Sequence, residues 1–245
     1  FADCHLLEAR RRAKAAQIVV VNHHLLCADL AVRDEGFGEV LPDADAFIVD
    51  EAHQLPEIAA HFFGSSISAR QLVELARDIE AQYRRDAGDL PALPSACDAL
   101  RQAVAELRLQ LSATLGSDER RGAWQEIAEA PAMQAVMADV GAALAEVGRT
   151  LEPLAERSRG LEQGATRIKA LQARLDRFLA AVPDEASQSV RWFDIQGRSV
   201  RFHQTPLDVS DIFRAQREQH PAAWVFTSAT LAVGESFHHF AQRIG

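Results

Sequence analysis

Between residues 67 and 185, apolar side chains return every three or four positions in four successive runs. Leu72, Leu75, Ile79 and Tyr83 share one stripe; Leu100, Val104, Leu107 and Leu111 a second; Met133, Val136, Val140, Leu144, Val147, Leu151 and Leu154 a third; Ile168, Leu171, Leu175, Phe178 and Leu179 a fourth. This is the period of a helix with one buried face, so the stretch is committed to a helical bundle. The spacing predicts four long helices and a short one. Ser68 to Gln71 and Ser95 to Asp98 read as capping-box starts, and Gly88, Pro91, Gly116, Pro131, Gly160 and Pro183 as punctuation. The longest helix, from 131 to about 157, would run on the order of 40 Å at 1.5 Å per residue. Stripes of this kind form core, and no chemistry is assigned to them.

The flanks of the bundle follow a different pattern. Residues 5 to 16 are helical in composition, the β-branched run Ile18 to Val21 predicts a strand stopping at Asn22, and Ala46 to Val49 predicts another stopping at Asp50. Beyond the bundle, residues 190 to 204 read as two strands around a Gln-Gly turn at which the sheet resumes, and residues 208 to 218 as a helix. A further apolar strand then runs into Thr227-Ser228-Ala229-Thr230-Leu231. Short, continuously apolar strands alternating with helices imply a parallel sheet covered on both faces. The fold class is therefore α/β, a parallel-sheet domain interrupted by a mainly α-helical insertion. Closure entropy rises by only about 0.6 kcal/mol per doubling of loop length, so an insertion of this size is tolerable.

Such sheets bind ligands at the carboxyl ends of their strands, and both polar clusters lie there. In nucleotide hydrolysis, the first carboxylate of an acidic pair can hold Mg²⁺ while the second orients or deprotonates the attacking water. Asp50 and Glu51 suit those roles; the alternative is that Asp50 caps the helix beginning near Pro56, or that both form a solvated loop edge. Small hydroxyls at Thr227, Ser228 and Thr230 could hydrogen-bond the carboxylates and transmit changes at the phosphate.

The pairing of Asp50-Glu51-Ala52-His53 with Thr227-Ser228-Ala229-Thr230 resembles motifs two and three of superfamily-two helicases. The 177 positions between Asp50 and Thr227, filled by a helical domain, together with the upstream Val-Val-Val-Asn22-His23-His24, resemble the iron-sulfur helicases of the XPD and DinG lineage, nearest the bacterial YoaA-like branch. The resemblance covers the whole chain. It implies a partial RecA-like helicase domain split by an arch: residues 1–12 as the tail of an iron-sulfur domain, 13–66 and 186–245 as the two parts of helicase domain one, and 67–185 as the arch. It implies that Asp50 serves Mg²⁺, that Glu51 activates water, and that His53 with Thr227, Ser228 and Thr230 couples nucleotide state to DNA. Asn22, His23 and His24 match the family's N-H-H segment, near the DNA or the domain interior. Adjacent histidines cannot share a helix face, so they are not a joint metal site. ATP, Mg²⁺ and a 4Fe-4S cluster are the implied cofactors, single-stranded or forked DNA and replication or repair proteins the implied partners, and translocation of 5'-to-3' polarity the implied activity.

Cys4 has two readings: a free thiol, or the last cluster ligand, which in the family precedes a basic helix and the V-V-V-x-N-H strand. Since a 4Fe-4S cluster takes four thiolates, the second reading puts three ligands upstream of Phe1. Cys27 and Cys97 lack ligand spacing and read as buried thiols. So few cysteines point to a reducing compartment, the cytoplasm by default. No apolar run approaches the roughly 20 residues of a membrane span. A net charge of -9 argues against indiscriminate nucleic-acid binding but not against one basic groove. Neither Lys14 nor Lys169 follows a glycine, so the chain carries no phosphate loop, and no arginine-finger motif follows residue 231. The expectation is a helicase portion that is inactive by itself. The competing readings are a protein-docking module with degenerate motifs, and the helicase part of a nuclease fusion.

Overall fold

The computed structural model describes residues 4–34, 40–86, 92–116, 119–180, 189–197, 199–219 and 221–245. Gly88, Pro91 and Pro183, expected as punctuation, and the expected boundary at residues 185 and 186 lie outside the described residues. In chain order the elements are α1 (His5–Ala15), α2 (His23–Asp34), β1 (Ala46–Val49), α3 (Leu55–Phe63), β2 (Ser65–Ser68), α4 (Ala69–Asp86), α5 (Ala92–Leu115), β3 (Glu119–Ala123), α6 (Gln125–Ala128), α7 (Pro131–Leu151), α8 (Arg159–Leu179), β4 (Ser189–Gln196), β5 (Ser199–Pro206), α9 (Ser210–Gln219), β6 (Ala223–Phe226) and α10 (His238–Ile244). The fold is mixed α/β, mostly helical, and divides into two compact units: residues 1–64 with 205–245, and residues 65–204.

The second unit is built on the stripes. Every stripe residue named above is buried except Leu179, which packs half-buried against the same core. Ser68 and Gln71 cap α4 reciprocally: the Ser68 amide donates to Gln71 Oε1 at 2.9 Å, and the Gln71 amide donates to Ser68 Oγ at 3.1 Å. α5 starts at Ala92, three residues before the expected Ser95, because Pro94 fits a first helical turn without losing a bond. α7 ends at Leu151 rather than about 157; Pro153 has no amide to donate, and the chain tightens into a 3₁₀ turn over Glu152–Arg157. Gly160 lies in the first turn of α8 instead of ending a helix. A Cβ there would come within 2.3 Å of Gln82 on α4, so glycine permits the close approach.

The hairpin of β4 and β5 departs from expectation. It joins a sheet of order β2-β5-β4-β3 within the second unit instead of extending the sheet of the first. Alternation explains this. Phe193, Ile195, Val200 and Phe202 are buried in the bundle core with Ile67 of β2, while the intervening residues face outward. A strand with one apolar face belongs on a bundle, whereas β1 and β6 are apolar at successive positions.

In the first unit β1 and β6 pair in parallel, Ala46 opposite Ala223 and Val49 opposite Phe226. Phe47 stacks on Trp224 with ring centroids 4.4 Å apart. α2, α3, α9 and α10 supply the rest of the core, including Leu30, Leu55, Phe213 and Ile244. The expected strand at Ile18 to Val21 is absent. A strand exists only where a neighbour takes its hydrogen bonds, and here Ile18 and Val20 are 84% and 91% exposed. The entry to β1 is fixed from below by a buried carboxylate that no periodicity announced. Asp29 on α2 accepts the Val40 and Leu41 amides at 2.6 and 2.8 Å through Oδ1, and Arg33 Nε at 2.8 Å through Oδ2. Arg33 in turn donates to Asp43 and to the Leu41 carbonyl. No helix among the described residues is long and apolar enough to cross a membrane.

Candidate functional site

β1 and β6 end side by side. The Thr227 amide donates to the Val49 carbonyl at 2.9 Å, and the Ala52 amide donates to the Thr227 carbonyl at 3.0 Å, so the ladder continues one step past both strands. Ala52 is fully buried. Glu51 makes a turn with φ of +48°, a left-handed conformation that costs a non-glycine residue energy and persists only where its surroundings impose it.

The turn presents two carboxylates to two hydroxyls. Thr227 Oγ1 donates to Asp50 Oδ1 at 2.8 Å, and Ser228 Oγ donates to Glu51 Oε2 at 3.2 Å. His53 Nδ1 lies 2.9 Å from Ser228 Oγ and 3.3 Å from Glu51 Oε2. A proton count orients the network. Ser228 gives its one proton to Glu51, so its lone pairs accept from His53 Nδ1–H and from the Thr230 amide at 3.3 Å. His53 therefore carries its proton on Nδ1. Glu51 and His53 are 56% and 43% exposed, and a polar contact so open to water adds little stability. What the bonds provide is orientation. Asp50, Glu51, His53, Thr227, Ser228 and Thr230 are thus brought together past the paired ends of β1 and β6, and Leu231 is buried in the core of the first unit.

One carboxylate at this turn is left open to a cation. Asp50 Oδ1 accepts from Thr227 and from the Glu51 amide, Oδ2 takes no bond among the described residues, and the carboxylate is exposed. The three residues of the N-H-H segment separate. Asn22 Oδ1 accepts the Leu25 amide at 2.8 Å and caps α2. His23 turns toward the motif, its Nε2 lying 2.8 Å from the Asp50 carbonyl oxygen. His24 is exposed and meets the Phe62 ring edge-on. The link from His23 to Asp50 was not visible in the sequence, since 27 positions separate them and neither periodicity nor motif spacing connects them.

The cysteines do not compose a cluster site. Cys4 is half-buried at the start of α1, while Cys27 and Cys97 are buried within different units. Among the described residues no group of three or more potential ligands could hold a metal ion. Burial pushes the Cys27 thiol up to about 12 and, against a lowering by Arg101, the Cys97 thiol up to about 11. Since the thiolate is the nucleophile, iodoacetamide at neutral pH should label only Cys4 in the native chain, and all three after denaturation. Peptide mass mapping checks this, and native labelling of Cys27 would contradict the burial.

No family model matches the chain. It is 38% identical over all 245 residues to the ATP-dependent DNA helicase YoaA of Haemophilus influenzae, and equally to that of Escherichia coli. It spans 37% of the length of each of these relatives. Over 70 residues, 28% of this chain and 10% of the relative, it is 33% identical to the ATP-dependent DNA helicase DinG of Photobacterium profundum.

Proposed function

Since this chain belongs with the YoaA-type helicase sequences, to which it is related along its entire length, we propose that it forms part of the motor of an ATP-dependent DNA helicase. The observation that carries the reading is the double bridge at the strand ends, Thr227 to Asp50 and Ser228 to Glu51. It makes one polar surface out of two motifs far apart in sequence. On this reading the first unit is part of a RecA-like helicase domain, and the second unit, residues 65–204, is the arch. Ile48 of β1 and Val225 of β6 are 74% and 47% exposed. Parallel strands are normally covered on both faces, so this surface suits a larger sheet in the intact protein.

In that motor Asp50 would hold Mg²⁺, and the chemistry such an ion would supply is neutralisation of phosphate charge. Glu51, oriented by Ser228, aligns the attacking water and takes its proton. His53, which donates through Nδ1 to Ser228, ties the water-activating group to the segment after β6, so that a change at one is felt at the other. His24 and the neighbouring surface of α2 lie toward single-stranded or forked DNA. Translocation runs 5'-to-3', in replication or repair within the cytoplasm, with proteins of those processes as partners. Cys4 would supply at most one thiolate to a 4Fe-4S cluster, whose other ligands would have to come from outside these residues.

The test is phosphate release stimulated by single-stranded DNA. The intact protein should turn over ATP, whereas residues 1–245 alone, which carry no phosphate loop, should release none above a Glu51→Gln control. Turnover by residues 1–245 would overturn the reading of the chain as a portion of the motor.

A further inference from the structure

We infer that His23 is a positioning residue: by holding the Asp50 carbonyl it fixes the turn on which Asp50 and Glu51 are presented. The inference rests on the ATP-hydrolysis reading above and deepens it. A carbonyl oxygen only accepts, so at 2.8 Å the Nε2 of His23 must be the donor. Successive carbonyls of a strand point to opposite sides. That of Val49 points to β6, where it takes the Thr227 amide; that of Asp50 points away from β6, and His23 meets it there.

Two anchors therefore flank the strained residue. On one side the Ala52 amide is tied to Thr227, and on the other the Asp50 carbonyl is tied to His23, with Glu51 at φ +48° between them. A left-handed glutamate needs such over-determination. The lever itself is rigid, because His23 opens α2 directly after its cap Asn22. Leu26, Cys27 and Leu30 bury the next turns of α2 in the core of the first unit. The segment thus acts on the hydrolytic turn through its first histidine, while the second, His24, faces outward.

The experiment compares wild type, His23→Phe and His23→Gln in the intact protein. Phenylalanine keeps a planar ring but has no donor; glutamine keeps an N–H at a similar reach. The expected result for His23→Phe is a fall in kcat for DNA-stimulated ATP hydrolysis on the order of tenfold, since small misplacement of reacting groups is costly. KM for ATP, affinity for a single-stranded oligonucleotide and the melting temperature should stay within about twofold or a few degrees of wild type, as for an interaction felt only in the transition state. His23→Gln should recover most of the rate. Wild-type kcat in His23→Phe, or equal impairment of His23→Gln, would overturn the inference while leaving the ATPase reading intact. A wild-type protein with no Glu51-dependent turnover would overturn both.

Discussion

Glu51→Gln in the intact protein is expected to lower DNA-stimulated ATP turnover by about 10²- to 10⁴-fold, the range contributed by a positioned general base. The substitution is chosen because it changes so little else. Glutamine has the same shape, its amide oxygen still accepts from Ser228, and its backbone meets the same left-handed turn. What disappears is the charge and the capacity to take a proton. Asp50 is untouched, so affinity for nucleotide with Mg²⁺ should persist, and single-stranded DNA should be held without being translocated. Single-turnover rates separate chemistry from release. A Glu51→Gln protein hydrolysing within about threefold of wild type would remove Glu51 from the role of base, and the site would have to be read as a solvated loop edge.

Asp29→Ala is expected to cost the first unit about 3–5 kcal/mol, the usual result of breaking one partner out of a buried ion pair. The Asp29 and Arg33 side chains are 4% and 12% exposed. Without the carboxylate, Arg33 loses a partner at 2.8 Å, and the amides of Val40 and Leu41 are left to find other acceptors. Removing both charges together, as Asp29→Leu with Arg33→Met, should be less harmful than Asp29→Ala alone, because the largely buried Arg33 charge then no longer has to be balanced by the exposed carboxylate of Asp43. Urea unfolding followed by hydrogen exchange at the amides of α2 and β1 would measure both variants. An Asp29→Ala protein as stable as wild type would show that the residues leading into β1 are held by other means. Activity should fall with stability here, since β1 carries the Asp50 turn.

The comparison between Asp29 and the bundle stripes shows what a sequence can disclose. A stripe is a local regularity, repeated every turn, and burial follows from it directly; Leu100, Val104, Leu107 and Leu111 needed no partner to be recognised as core. β1 was legible for a related reason, its apolar run ending at a charged pair. Ile18 to Val21 is just as apolar and yet forms no strand, because composition reports a readiness to be covered, not the presence of a neighbour. The hairpin of β4 and β5 could have been placed by alternation: its buried Phe193, Ile195, Val200 and Phe202 mark a one-sided sheet. The strand-end residues were legible as motifs. The orientation of His53 by Ser228 and the grip of His23 on Asp50 arise only from tertiary placement.

Residue Ser65 enters the helical unit directly opposite Gln204, where the chain leaves it, as partners in an antiparallel pair. The two ends of this unit therefore lie one strand spacing apart. To the rest of the chain it is equivalent to the tip of a hairpin. A lineage could lengthen, shorten or exchange this cassette without disturbing the register of Asp50 against Thr227, leaving the chemistry fixed while whatever the cassette touches is free to diversify.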